Sequence, residues 1–195
     1  MINSNHRNKF RLNFTLAILL WFIPIISSAQ IQDKTTSLEP PPTPSLEDSL
    51  GRVNYEAILK TINGEVIPFD SLKGKVIFAH IWATTCSPCI PELPSLQRLY
   101  EALPTDSVAF LMISLDDSTK LVKDFLENRN LDLPVQFMHY DWAFANVALG
   151  SPIQIIMPST YIIGRKGNIR YKHIGAAKWD SPELLNFITS LASEQ

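Results

Sequence analysis

The chain contains very little cysteine: two residues in 195, Cys86 and Cys89. Small secreted domains that depend on disulfides carry several bridges, so the sequence excludes that class. A bridge closing so short a loop would also restrict the unfolded chain little. A zinc site is disfavoured as well, because there is no second cysteine pair and His80, His139 and His173 lack ligand spacing. The pair is therefore not expected to serve as a structural cross-link.

Positive charge is also scarce once the N-terminal segment is set aside. That segment contains Arg7, Lys9 and Arg11 and no acidic residue, so 17 minus 3 leaves 14 basic residues against 19 acidic ones, a formal charge of −5. A negative chain argues against nucleic acid and against an anionic membrane surface as partners.

The N-terminal apolar run is short for a membrane span. Leu12–Ile26 has 15 residues and contains Pro24, whereas a spanning helix needs about 20 residues. The basic start, this run and the small residues 27–29 predict a secretory signal peptide over residues 1–29, cleaved after Ala29. We therefore expect an exported protein of the periplasm or cell envelope. An uncleaved membrane anchor is the alternative, and a lipoprotein anchor at this point is excluded because no cysteine lies there.

The remaining chain divides into a linker and one domain. Residues 30–52 include the proline-rich run 39–44 and scattered polar residues, which predicts an extended, flexible linker. Residues 53–195 are apolar enough for a single core. Alternating strand and helix patterns predict an α/β sandwich. The expected elements are a hairpin at Asn63-Gly64, strands at 75–82, 108–115, 134–139, 159–163 and 168–174, and helices at 87–103, after Asp116-Asp117-Ser118, at 141–149 and from Pro182.

The spacing of the two cysteines indicates redox chemistry. A strand leads into Cys86, and a helix is expected to begin there, bent further along by Pro91 and Pro94. Free N–H groups at a helix start favour a thiolate. We expect Cys86 to be the exposed nucleophile and Cys89, one turn further in, to be the buried resolving thiol. The alternative is an inert disulfide or two buried thiols.

Each of several other residues near the cysteine pair can be interpreted either as part of the active site or as an ordinary core or surface residue. Glu92 follows Cys89 by three residues and can take or return its proton, or it is simply solvated. Trp82 covers the site or belongs to the core. His80, inside an apolar strand, is predicted to be a hydrogen-bonded core histidine rather than a catalytic base. Pro158 heads a strand, where proline is allowed without special meaning. Two further aromatic residues, Trp142 and Phe144, are expected to pack rather than to form a substrate groove.

Taken together, these residues resemble the thioredoxin superfamily, and most closely its exported TlpA/ResA-type thiol:disulfide oxidoreductases. The resemblance covers roughly residues 53 to 190. The central match is the Trp-Ala-x-x-Cys-x-Pro-Cys motif at 82–89, followed by Glu92 and Pro94. Three further segments match: residues 72–76, which lead into the strand before the cysteines, the Met-Pro-Ser-Thr segment 157–160, and the turn 164–167.

The resemblance implies a thioredoxin-like fold: a central mixed sheet sandwiched by helices, with an N-terminal hairpin and an inserted strand–helix element from about 118 to 150. It implies a cis bond before Pro158 and active-site roles for both Pro158 and Glu92. It further implies that Trp82, Ser87, Pro88 and Met157 contact the substrate. No cofactor beyond the redox-active Cys86–Cys89 pair and no metal is expected.

Two positions depart from the family pattern. Thr85 stands where a second tryptophan is usual, directly before the first cysteine. His80 stands where asparagine is common in the strand. The first departure removes an aromatic cover, which affects the partner surface and the reduction potential rather than the chemistry.

The predicted function is reduction of disulfides in envelope proteins. The resemblance implies electrons from a membrane thiol–disulfide donor, and it implies cytochrome c maturation as one setting. A disulfide-forming oxidant is the alternative, although there is no histidine between the cysteines to stabilise a thiolate. A peroxidase is disfavoured because Ala83 occupies the position three before Cys86 where a threonine is needed. A metal chaperone on the same fold is a further alternative, disfavoured because two rather than three residues separate the cysteines.

Overall fold

A computed structural model describes residues 38–43, 51–53, 55, 58–137 and 156–194. All of them belong to one compact unit, Thr36–Gln195. The predicted signal peptide, the predicted helix at 141–149, Trp142 and Phe144 lie outside the described residues. Within the described part of the chain, no helix is long and apolar enough to cross a membrane.

The strands form one mixed sheet. Their bounds are β1 Ile58–Thr61, β2 Val66–Pro68, β3 Val76–Trp82, β4 Val108–Ser114, β5 Val135–Phe137, β6 Ser159–Ile163 and β7 Ile169–Ile174. The order across the sheet is β2-β1-β5-β4-β3-β6-β7. The pairs β3–β4 and β4–β5 are parallel, and the remaining pairs are antiparallel. The predicted hairpin is confirmed as β1–β2, and the predicted buried strands are confirmed as β3 and β4.

Three α-helices are described, α1 Leu93–Ala102, α2 Thr119–Glu127 and α3 Pro182–Ser193. The hydroxyl oxygens of Ser118 and Ser181 accept hydrogen bonds from N–H groups in the first turns of α2 and α3, as expected for N-cap serines. The apolar spacing of α3, with Leu184, Phe187 and Leu191 buried, is that of a helix with one face on a core.

The two faces of β3 pack into different clusters, because successive side chains of a strand point to opposite sides. Phe78 and Trp82 join the larger cluster, which also contains the buried side chains of α1, α2 and α3. Ile77, Ala79 and Ile81 join a second cluster. We call the first side the site face and the second the apolar face.

Part of the predicted linker contacts the domain. The backbone N–H of Lys178 donates to the carbonyl of Glu39, and the hydroxyl of Tyr171 donates to the carbonyl of Pro42. Arg52 forms a bridge with Asn168. Residues 38–43 are therefore held against the folded unit, in contrast to the flexible linker expected from composition.

Candidate active site

The turn between β3 and the cysteines is held by one carboxylate. Thr84 donates its backbone N–H and its hydroxyl to the two oxygens of Asp116, at 2.9 and 2.6 Å. The hydroxyl of Ser114 donates to the same carboxylate at 2.8 Å. The N–H of Leu115 donates to the carbonyl of Trp82 at 2.9 Å. Asp116 was predicted from the sequence only as part of a helix cap, whereas it fixes the approach to Cys86.

Cys86 and Cys89 form a disulfide, with their Cα atoms 5.3 Å apart. Cys86 is 8% exposed and Cys89 is fully buried. The prediction that Cys89 is buried is confirmed, whereas the prediction that Cys86 is exposed is wrong for the disulfide-bonded protein. Both bonded cysteines belong to the larger core cluster, which accounts for the burial of Cys86.

The expected single helix from Ser87 is wrong. Residues Ser87–Glu92 form a 3₁₀ helix with Cys86 as its N-cap, and α1 begins only at Leu93. Pro91 lies inside the 3₁₀ helix and supplies no N–H for an α-helical bond. Pro94 lies in the first turn of α1, where proline is tolerated, so it begins that helix rather than bending it.

Glu92 is fully buried, which excludes the solvated alternative. One carboxylate oxygen, Oε2, accepts from the indole N–H of Trp179 at 2.8 Å and from the backbone N–H of Ala177 at 3.1 Å. The other, Oε1, lies 3.1 Å from Nε2 of His80. This last contact has ion-pair distance but not hydrogen-bond geometry, and neither atom has another partner among residues the structure describes.

His80 is a buried, hydrogen-bonded histidine, as predicted, but it also faces the site. Its Nδ1 lies 2.8 Å from the hydroxyl oxygen of Thr160 on β6. Its ring packs edge-on against Trp179, with centroids 6.0 Å apart. The sequence could have indicated this placement, because side chains alternate between the two faces of a strand. His80 is two residues from Trp82 on the same strand and therefore points to the site face.

A second histidine lies on the same side. His173 on β7 packs edge-on against Trp179, with ring centroids 5.5 Å apart. Burial lowers the pKa of His173, the negative charge of Glu92 opposes that shift, and His80 adds to it. Sequence reasoning missed Ala177 and Trp179 as partners of Glu92, since they lie 85 and 87 residues away along the chain.

The bond between Met157 and Pro158 is cis, as the resemblance implies. Pro158 is buried, and its carbonyl accepts from the N–H of Gly175 at 2.9 Å. The hydroxyl of Ser159 donates to the carbonyl of Ile156. Met157 is half-buried and packs against both core clusters, the larger of which contains the two cysteines.

The remaining predicted substrate-contacting residues differ in accessibility. Ser87, Pro88 and Thr85 are exposed. Trp82 is fully buried, with its ring 5.8 Å from that of Phe125. The prediction that Trp82 contacts a substrate is therefore wrong for this conformation, because its position on β3 turns it into the core under α2. No cluster of three or more metal-ligating side chains occurs in the described ranges.

Comparison with known proteins places the chain in a family. The model of the Redoxin family matches residues 44–188. Sporulation thiol-disulfide oxidoreductase A of Bacillus subtilis is 30% identical over 121 residues, which cover 60% of this chain and 70% of that protein. The thiol-disulfide oxidoreductase ResA of Bacillus cereus is 25% identical over 126 residues, covering 65% of this chain and 70% of that protein.

A solved structure supports the fold. A secreted thiol-disulfide isomerase from Corynebacterium glutamicum superposes with a TM-score of 0.63 at 19% identity, covering 81% of this chain and 98% of that one. The expected thioredoxin-like α/β fold is confirmed. With a cysteine pair that forms a disulfide at the end of β3, the chain belongs to the Redoxin family and is a thiol-disulfide oxidoreductase of the ResA type.

Proposed function

We propose that this protein reduces disulfides in exported proteins through a Cys86/Cys89 dithiol–disulfide cycle. The observation that carries the proposal is the difference between the two sulfurs. Cys86 retains some exposure, whereas Cys89 is fully buried in the same 3₁₀ helix as the buried carboxylate of Glu92. A client disulfide can therefore reach only Cys86. Glu92, three residues after Cys89, is available as an acceptor for the proton of the Cys89 thiol.

The cycle has two steps. The thiolate of Cys86 attacks a client disulfide, forming a mixed disulfide and releasing one client sulfur as a thiolate that takes up a proton. Cys89 then loses its proton and attacks the sulfur of Cys86, which closes the Cys86–Cys89 disulfide and releases the second client thiol. The client gains two electrons and two protons, and the cysteine pair loses them. Glu92 is the group we assign to accept the proton of Cys89.

The cis-proline segment provides the surface for the client. Met157 lies against the cluster that holds the disulfide, and Ile156 and Ile174 are exposed apolar side chains next to Pro158 and Gly175. An extended client segment adds to such a backbone edge as a strand. Ser87 and Pro88, which lie between the two cysteines in the chain, are also exposed.

The cellular setting belongs to the same proposal. The predicted signal peptide and the name of the secreted isomerase from C. glutamicum support an exported protein. An exported reductase needs electrons, for which we propose a membrane thiol–disulfide donor. Apocytochrome c thiols and other envelope proteins are the client classes we propose.

Trapping of the mixed disulfide tests this function. In the full chain, Cys89→Ser should accumulate a covalent complex with a disulfide-containing protein such as insulin, and Cys86→Ser should accumulate none. Turnover with a reductant should fall at least 10³-fold in both variants, because neither can complete the exchange. A complex that forms in Cys86→Ser, or turnover that survives in either variant, would contradict the proposed roles.

A further inference from the structure

Three polar side chains occupy one row across three neighbouring strands. Thr160 on β6 is in register with His80 on β3 and with His173 on β7. Residues directly opposite each other share a face of the sheet, and for His80 that face is the site face. Within the row, His80 lies between the apolar residues Phe78 and Trp82 on β3 and contacts Glu92, the last residue of the 3₁₀ helix that contains Cys89.

Within this row His80 has two distinct partners. Nδ1 meets the Thr160 hydroxyl at 2.8 Å, and Nε2 meets Oε1 of Glu92 at 3.1 Å, with both side chains of the His80–Glu92 contact 0% exposed. Oε2 of Glu92 already accepts two N–H groups, while Oε1 has only the imidazole. A proton arriving at Oε1 therefore comes to an atom that His80 alone contacts among the residues described.

Charge and tautomer can change in this pair without leaving Nδ1 unpaired. The Thr160 hydroxyl donates to Nδ1 when the imidazole is neutral with its proton on Nε2, and it accepts when Nδ1 carries a proton. A carboxylate facing a neutral imidazole has a net charge of −1. One additional proton makes the pair neutral overall, which is favoured in a water-excluded core.

The 3₁₀ helix brings Cys89 to this pair. Residues three apart eclipse each other in a 3₁₀ helix, about 6 Å apart along its axis. Cys89 and Glu92 are three apart, and they are the two buried residues of Ser87–Glu92. The thiol that must be deprotonated and the carboxylate that contacts His80 are therefore on the same buried side.

We propose that His80 is a positioning residue for the resolving step, forming with Glu92 one proton-accepting pair for the thiol of Cys89. This inference rests on the proposed function. The S–H proton of Cys89 passes to the Glu92–His80 pair, and the resulting thiolate attacks Sγ of Cys86. The Cys86–Cys89 bond forms, the bond to the client sulfur breaks, and the client leaves as a thiolate that takes the proton back from the pair through solvent.

The effect of His80 must be distinguished from the effects of other titratable groups on the site face. His173 faces Glu92 from β7, and burial raises the pKa of Tyr171, also on β7, to about 12, so Tyr171 stays neutral at working pH. Cys89 lies three residues before Glu92 in the 3₁₀ helix. Asp180, next to Trp179, is engaged by Arg98 at 2.7 Å. His173 is thus the group whose titration must be removed in a control.

The test separates the two chemical steps by stopped flow. The reduced full chain reacts with a chromogenic aryl disulfide, which releases one thiol on attack by Cys86 and a second on attack by Cys89. At pH 7 we expect His80→Asn to slow the second release about 10-fold or more, within the range of general base catalysis, and the first release less than about twofold. The difference should shrink as pH rises and hydroxide deprotonates Cys89.

Control variants sharpen that result. Glu92→Gln should slow the second release as well, and the double variant should lose little more than the worse single variant, because the two residues act as a unit. His173→Gln should leave the second release within about twofold. Equal slowing of both steps at every pH in His80→Asn would indicate a merely structural role and overturn the inference.

A measurement on the unmutated protein covers the case in which His80→Asn fails to fold. Long-range ¹H–¹⁵N spectra of the reduced protein at pH 7 should show the Nε2 resonance of His80 displaced in Glu92→Gln relative to the unmutated protein, because Oε1 of Glu92 lies 3.1 Å from Nε2. His80 nitrogen resonances that are the same in the two proteins would overturn the inference. A single release step from the unmutated protein would instead contradict the proposed function itself.

Discussion

The two faces of β3 are equally buried but differ in polarity. On the apolar face, Ile77, Ala79 and Ile81 pack among other apolar side chains. On the site face, Phe78 and Trp82 flank His80, which is as inaccessible as they are and contacts Glu92 and Thr160. Burial therefore does not distinguish the functional face from the structural one. A buried polar network does, because such groups are unfavourable unless each has a partner.

The largest predicted effect comes from removing the Glu92 carboxylate on the site face. Glu92→Ala leaves the Trp179 indole N–H, the Ala177 N–H and His80 Nε2 without their carboxylate. We expect the free energy of unfolding of the oxidised protein to fall by about 3–5 kcal/mol, because several buried donors lose their acceptor at about 1–3 kcal/mol each. Chemical denaturation measures this, with Glu92→Gln as the matched control of the same shape. Equal stability of Glu92→Ala and Glu92→Gln would contradict the network.

The second prediction concerns the loss of a large side chain from the apolar face. Ile81→Ala removes buried methyl and methylene groups and should lower the free energy of unfolding by about 2–5 kcal/mol. Because Ile81 points away from the disulfide, the ratio of the first to the second release rate should stay within about twofold of the unmutated protein. If that ratio changes as much as in His80→Asn, the distinction between the faces does not hold.

A third prediction concerns the end of β3, where adjacent threonines form a matched pair. Thr84→Val removes the hydroxyl that donates to Asp116 and should lower the free energy of unfolding by about 1.5 kcal/mol, the lower end for bonds to charged groups. Thr85→Val, on an exposed side chain, should change it by about 0.5 kcal/mol or less. The denaturation midpoints of the two variants measure these changes, and equal effects would contradict the role of the Thr84–Asp116 hydrogen bonds in holding this turn.

The smallest predicted effect is a pH dependence from His173. Burial lowers its folded pKa below the unfolded value of 6.5, so the unfolded chain binds the proton first as pH falls. Stability should therefore decline from about pH 6.5 down to the folded pKa and then level off. His173→Gln should flatten part of this decline in denaturation midpoints measured from pH 5 to 7.5. A steeper decline in the variant would mean that the sign is wrong.

The fold was predictable because its central strands are long apolar runs bounded by turn residues. β3 and β4 lie within the predicted ranges, and Asn63-Gly64 lies in the hairpin loop. The start of the cysteine helix was not predicted, since three closely spaced prolines remove N–H donors and favour a 3₁₀ segment over an α-helix.

The site was predictable only where its residues are close in sequence. Cys86, Cys89 and Glu92 follow from spacing, and the strand parity of His80 was available but outweighed by its apolar neighbours. Ala177 and Trp179 reach Glu92 from beyond β7. Contacts of that separation depend on how the sheet is assembled, and the sequence carries no local pattern for them.

The equilibrium reduction potential of the Cys86–Cys89 pair tests the central claim most directly. The full chain would be equilibrated in graded dithiol/disulfide buffers at pH 7 and the fraction reduced measured by thiol alkylation. We expect a value near or below about −250 mV, close to that of thioredoxin and suited to a reductase with a dedicated electron supply. A value near about −120 mV, where strong oxidants lie, would contradict it and make the protein a disulfide donor.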